Sequence, residues 1–128
     1  MPEERIAIVT GGLRGLGKSM ALGLAQVGHR VAAVGHLAED IPEMEAAARD
    51  AGVGERIRPM VADLRQISEC DRLVGETNAR FGRIDVLVNN AGLTFTYIDP
   101  PKFRREGIQR FWQVSDEIVD KVIITNYL

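Results

Sequence analysis

The sequence predicts an α/β protein built on a doubly wound parallel sheet. Three observations carry this: short β-branched apolar runs alternate with stretches of helical period, each switch falls at Gly, Asp or Asn, and a glycine-rich turn follows the first run. Strands joined through helices run parallel with right-handed connections, so helices are expected on both faces of the sheet.

Arg5 to Thr10 reads as the first strand. From Leu16, the apolar residues Met20, Leu22, Leu24 and Val27 predict a helix that stops at Gly28. Arg30 to Val34 is the second strand, and Asp40 is placed to cap a second helix with Pro42 in its first turn, ending near Gly52. Ile57 to Ala62 predicts a third strand at a sheet edge, because Pro59 has no amide to donate. A helix from about Gln66 to Phe81 is expected to turn Ile67, Cys70, Leu73, Val74 and Thr77 inward. Ile84 to Val88 reads as a fourth strand buried on both faces, and a last helix should begin near Ser115, Asp116 and Glu117.

With 128 residues, of which 45% are hydrophobic and 27% charged, the chain has the composition of one globular domain with one core. Its formal charge of -2 offers no basic surface, so neither nucleic acid nor anionic membrane is an expected partner. Met-Pro-Glu-Glu-Arg leads straight into Ile-Ala-Ile-Val, without the build of a signal peptide or a membrane span, which predicts a cytoplasmic protein. Cys70, the only cysteine, excludes an internal disulfide and is expected to be a packed core thiol.

The chemistry begins at Thr10-Gly11-Gly12-Leu13-Arg14-Gly15-Leu16-Gly17, between the first strand and first helix. Free amides and the positive end of a helix attract phosphate there, and glycines remove side chains that would hold its oxygens away. The common G-x-G-x-x-G spacing is absent, since Met20 stands where its last glycine would be. Gly12 to Ser19 satisfies the P-loop pattern G-x-x-x-x-G-K-[ST], with Lys18 for terminal phosphates, Ser19 for magnesium and Asp63 as a distal metal ligand. The same residues match T-G-x-x-x-G-x-G, in which Lys18 and Ser19 belong to the helix surface. The turn by itself leaves both open.

Farther along, Phe81-Gly82-Arg83-Ile84-Asp85-Val86-Leu87-Val88 runs into Asn89-Asn90-Ala91-Gly92. Together with T-G-x-x-x-G-x-G, this strand and its N-N-A-G ending resemble the short-chain dehydrogenase/reductase family, and the resemblance covers the chain except residues 93 to 111. It implies a Rossmann-like cofactor-binding domain over residues 1–128, cut after the helix that follows strand four. It implies that Thr10, Gly11, Gly12, Arg14, Gly15, Leu16 and Gly17 hold the cofactor's phosphates. Small Ala91 and Gly92 would admit cofactor at the strand's end, with Asn89 bonding neighbouring backbone and Asn90 beside it. Asp63 and Leu64 match the family's place beside the adenine ring. Asn126 resembles the asparagine that supports the catalytic group, although the interval from Gly92 is about ten residues longer than usual. Phe95, Tyr97, Phe111 and Trp112 lie in or beside this insertion, where packing against the sheet is favoured over lining a substrate entrance.

An acidic residue about twenty positions after the turn would bond the ribose hydroxyls of NAD and repel a 2′-phosphate. Gly35 occupies that place, leaving room for the phosphate, with Arg14 and His36 to supply charge or donors. The pattern favours NADP. In the alternative, Glu39 or Asp40 reaches the ribose of NAD.

Family members move hydride between nicotinamide and a carbonyl or alcohol carbon, with a Y-x-x-x-K pair handling the proton. Tyr97 precedes Lys102 by one residue too many, and Tyr127 has no lysine after it. The chain is therefore expected to bind nicotinamide dinucleotide without turnover, as a fragment of an oxidoreductase acting on a small carbonyl or alcohol. A natural binding module and a P-loop switch are the alternatives. Resembling enzymes bury the last helix against a second subunit, so a homo-oligomer is expected, with Ile118, Val119, Val122 and Ile123 facing water in the isolated chain.

Overall fold

The structure, a computed structural model, describes residues 3–92 and 114–127. The chain divides into two compact units, Met1–Ala91 and Gly92–Leu128. The first holds β1 (Ile6–Thr10), α1 (Gly15–Gln26), β2 (Arg30–Gly35), α2 (Ile41–Asp50), β3 (Ile57–Val61), α3 (Ile67–Phe81) and β4 (Val86–Val88). All pairings are parallel, in the order β3-β2-β1-β4. The predicted doubly wound, Rossmann-like sheet is present.

Alternate residues of the strands feed two cores. Ala7, Val9, Val31 and Ala33 meet Ala21 and Ala25 of α1 and Met44 and Ala48 of α2. On the other face Ile8, Ala32, Val34 and Met60 meet Leu73 of α3. Helix α1 turns Gly17, Ala21 and Ala25 inward, while Val27 is exposed and Met20, Leu22 and Leu24 are half-buried. The sequence pattern pointed to the larger residues; the helix instead uses a row of small ones spaced by four, which lets its backbone approach the strands. In α3 the buried pair is Leu73 and Thr77, whereas Ile67 and Val74 are 82% and 50% exposed and Cys70 is half-buried. Cys70 therefore lies at the margin of the core, its thiol 3.5 Å from Leu64 O.

Strand β3 is an edge among the described residues, as Pro59 predicts. The Ala62 amide donates to Gly35 O at 2.9 Å, and the two-residue period then turns Pro59 outward. Arg72 donates from Nη2 to Val61 O at 2.6 Å on the same strand. Strand β4 departs from expectation. It pairs with β1, and Leu87, in register with Ile8, is 56% exposed rather than buried on both faces. Helix α3 packs through Leu73 over Met60, Val34 and Ile8.

Asp85 ties the start of β4 to β1: it accepts from the Ile6 amide at 2.8 Å, and its own amide donates to Ile6 O at 2.8 Å. The Arg83 guanidinium beside it, and then the Ile6 amide, hold its carboxyl below the ordinary value of 3.8. A depressed carboxylate contributes stability that is present above its unfolded pKa and lost as pH falls through the folded one. Asp85→Asn is therefore expected to flatten the acid loss of stability below about pH 4, read from urea midpoints across an acid series. An unchanged acid slope would remove Asp85 from this role.

In the second unit, α4 (Asp116–Tyr127) starts where the sequence places it, with the Ile118 amide 3.4 Å from Ser115 Oγ. Ile118 is buried, contrary to the expectation that it faces water, while Ile123 and Ile124 are 41% and 42% exposed. No described helix is long and apolar enough to cross a membrane. Phe95, Tyr97, Lys102, Phe111 and Trp112 fall outside the described residues.

Candidate functional site

The strand order reverses beside β1: β2 and β3 continue to one side, and β4 returns to the other. In such sheets the crevice at the carboxyl ends of the two central strands is where ligands bind. Here it lies between Thr10, at the end of β1, and Asn89, just after β4.

The glycine turn is folded tightly into this place. Gly11 and Gly15 have φ of 63° and 59°, the left-handed region that side chains resist. The Gly12 amide donates to Val34 O at 2.8 Å, and a Cβ there would lie 2.7 Å from Val9 O. A Cβ on Gly17 would run into Gly11 O and lie 2.5 Å from Asn90 Nδ2. These glycines thus leave a backbone cradle at the start of α1. The first helical amides have no acceptor within the helix, no side chain caps them, and no acid stands in the first turn. Such an end suits the phosphates of a dinucleotide.

Thr10 and Asn90 lock the turn to the end of β4. Thr10 Oγ1 donates to Val88 O at 3.2 Å and accepts from the Asn90 and Ala91 amides at 3.0 Å each. Asn90 Nδ2 donates to Thr10 O at 3.2 Å and Gly11 O at 3.4 Å. The bracing role expected of Asn89 falls to Asn90; Asn89 is exposed, because the second asparagine, half-buried, is the one turned toward β1. Leu16 is 72% exposed, so its contribution to the cradle is its amide. In the other unit, a Cβ on Gly92 would lie 3.2 Å from Asn126 Oδ1, so these two are neighbours.

At the end of β2, the missing side chain of Gly35 does not leave open space. A Cβ there would meet Leu13 Cδ1 at 2.8 Å, and Leu13 is 2% exposed. Arg14 Nε lies 3.7 Å from Asp40 Oδ2, and Asp40 makes no cap bond in α2 although it holds the N-cap position. His36 is exposed. At the end of β3, Asp63 is gripped by Arg65, whose Nε and Nη2 donate at 2.9 Å each. This guanidinium, with smaller help from His36, holds the Asp63 carboxyl below its usual range, against the upward pull of partial burial. Arg65 was not singled out in the sequence; its place two residues after Asp63, reaching back over a turn, was the available signal.

Lys18 Nζ pairs with Glu43 at 3.1 Å, and Ser19 Oγ donates back to Gly15 O at 3.4 Å. Both serve the helix surface, which leaves the P-loop roles unfilled. Among the described residues, no group of three His, Cys, Asp or Glu is placed to hold a metal.

The fold and this crevice define a doubly wound, Rossmann-like α/β domain. A family model described as short chain dehydrogenase matches residues 5–128, and the chain belongs to that family of oxidoreductases. A 2-dehydro-3-deoxy-D-gluconate 5-dehydrogenase of Escherichia coli is 42% identical over 91 residues, covering 71% of this chain and 34% of that protein. A 3-oxoacyl-(acyl-carrier-protein) reductase of Synechocystis is 41% identical over 92 residues, covering 70% of this chain and 36% of that protein. Actinorhodin polyketide ketoreductase, solved with NADPH, superposes with a TM-score of 0.76 at 31% identity over 96% of this chain and 42% of that one. The matched stretch is about a third of each curated relative's length.

Proposed function

We propose that residues 1–128 are the NAD(P)-binding portion of an oxidoreductase that moves hydride between nicotinamide and a small carbonyl or alcohol substrate. The observation that carries this reading is the cradle formed by Gly11, Gly12, Gly15 and Gly17 against Asn90 at the switch point of the sheet. Bound there, the cofactor supplies the hydride. The chain supplies the phosphate site at the start of α1, the brace of Thr10 and Asn90, and small Ala91 and Gly92 beside the nicotinamide end. Asp63 and Leu64 attend the adenine, and Asn126 supports the catalytic group. The sequence holds no Tyr-x-x-x-Lys, so these residues bind cofactor without turning substrate over.

NADP is the favoured dinucleotide and NAD the alternative. The support is Arg14 in the turn and His36 after Gly35, with no acid at position 35; the NADPH-bound relative agrees with this preference. Arg14→Ala is expected to weaken NADPH binding about tenfold to a hundredfold, the worth of one charge-assisted contact to phosphate, and NADH binding far less. Calorimetric titration reads both. Equal loss for the two cofactors, or tighter NADH binding in the unaltered chain, would reverse the assignment.

A further inference from the structure

At the amino-terminal end of β3, away from the carboxyl ends where the glycine turn lies, a cleft of about 830 Å³ runs around the sheet border from α2 to the end of α3. That is room for a small molecule. Its cationic lining is Arg49 of α2, Arg58 of β3 and Arg80 of α3, three guanidinium groups brought from three elements to one place. Of the described arginines and lysines, only these and Arg5 make no ion pair. Pairing is withheld even where helix spacing offers it. Glu45, one turn before Arg49, lines the same cleft without bonding it, and Glu76, one turn before Arg80, is taken by Arg72 at 3.2 Å. Arg58 is half-buried, and its Nε is enclosed without an acceptor. A buried N–H of a charged group is costly to leave unpaired, so β3 carries an unmet demand for an anion. With Pro59 on the border and Val61 O held by Arg72, an added strand meets a broken ladder, which points to a small molecule as the occupant.

We propose that this cleft binds a small phosphate monoester with an apolar body. Three guanidiniums against the carboxylates of Glu45 and Glu55 leave the lining net positive, and the three terminal oxygens of a phosphate dianion match three donor forks in number. A single carboxylate brings fewer oxygens and less charge. Half-buried Pro59 and Phe81, with buried Ile57, supply apolar wall for the rest of the ligand. Glu45 and Glu55 repel an anion placed near them, so they favour a ligand whose charge is gathered at one end over one that carries it throughout.

The test is titration of phenyl phosphate, inorganic phosphate and citrate into the full chain, read from the proton–nitrogen NMR signals of arginine side chains and backbone amides. Phenyl phosphate is expected to move the Arg58 Nε–H signal saturably and to bind about tenfold more tightly than inorganic phosphate, through apolar contact of its ring. Arg58→Met, which keeps the length of the side chain and loses the guanidinium, is expected to weaken phenyl phosphate about tenfold to a hundredfold. Arg80→Gln, at an exposed position of α3, must weaken it at least about threefold, and this variant decides the matter should Arg58→Met fold poorly. Arg5→Gln, which removes the other cation without an ion pair, must leave the affinity unchanged. Equal loss in Arg5→Gln, citrate binding as tight as that of phenyl phosphate, or equal affinity for inorganic and phenyl phosphate would overturn the proposal. So would shifts confined to the amides of Gly11 to Gly17, which assign the phosphate to the glycine turn instead.

Discussion

Gly17→Ala is expected to cost about 3 kcal/mol or more of stability and to weaken dinucleotide binding beyond detection, because its methyl group has nowhere to go. The nearest obstacles are Gly11 O and, at 2.7 Å, Gly11 C, which are backbone and cannot swing aside. Asn90 Nδ2, 2.5 Å away, is held by its own bonds to Thr10 O and Gly11 O. Relief requires the turn to lift off the end of β4, and that movement dismantles the cradle. Gly23→Ala supplies the control in the same helix. A Cβ there meets nothing within 4 Å, so the same chemical change should stabilise by up to about 1 kcal/mol through helix propensity. Urea denaturation of both variants reads the contrast. A Gly17→Ala chain as stable as its Gly23→Ala counterpart would mean that the turn does not approach α1 as closely as described.

Thr10→Val tests the other half of the lock. The substitution preserves shape and removes a hydroxyl that serves three backbone groups at once in a residue only 7% exposed. The Asn90 amide keeps Val88 O at 3.1 Å, but the Ala91 amide loses the acceptor it has here. A buried amide left unpaired costs about 1–3 kcal/mol, so a loss near 2 kcal/mol is expected, with Thr10→Ser recovering most of it. Cofactor affinity should fall in parallel, since the loop after β4 is no longer pinned. A loss in Thr10→Ser with none in Thr10→Val would assign the effect to packing of the methyl group.

The strands were readable in the sequence because the two inner ones are buried on both faces and appear as unbroken apolar runs: Ile6 to Val9 and Val31 to Val34 have no polar interruption. Their parallel direction was implied by the helical crossovers. Helix faces were less legible. In α1 the inward residues are small, so hydrophobicity pointed to Met20 and Val27, whereas closeness to the sheet selects Gly17, Ala21 and Ala25. In α3 the apolar stripe is wider than the strip of sheet it covers, which leaves Ile67 and Val74 outside. At the site, the glycines announced themselves through spacing, because the turn needs them whatever surrounds it. The division of labour between Asn89 and Asn90 depended on strand register, which adjacent identical residues cannot reveal. The pairing of Arg14 with Asp40, 26 positions apart in sequence, had no local signature. The filling of Gly35's space by Leu13, 22 positions earlier, likewise had no local signature, so the open space expected there is absent.

The two borders of the sheet are unlike. On β3, Pro59 offers no amide and Val61 O is already spoken for by Arg72, so an incoming strand would find the donor-acceptor ladder broken at two rungs. On β4, no proline interrupts the run and Leu87 offers an uncovered apolar side chain on the face. Among the described residues the two borders therefore differ in kind: the ladder is interrupted along β3 and uninterrupted along β4.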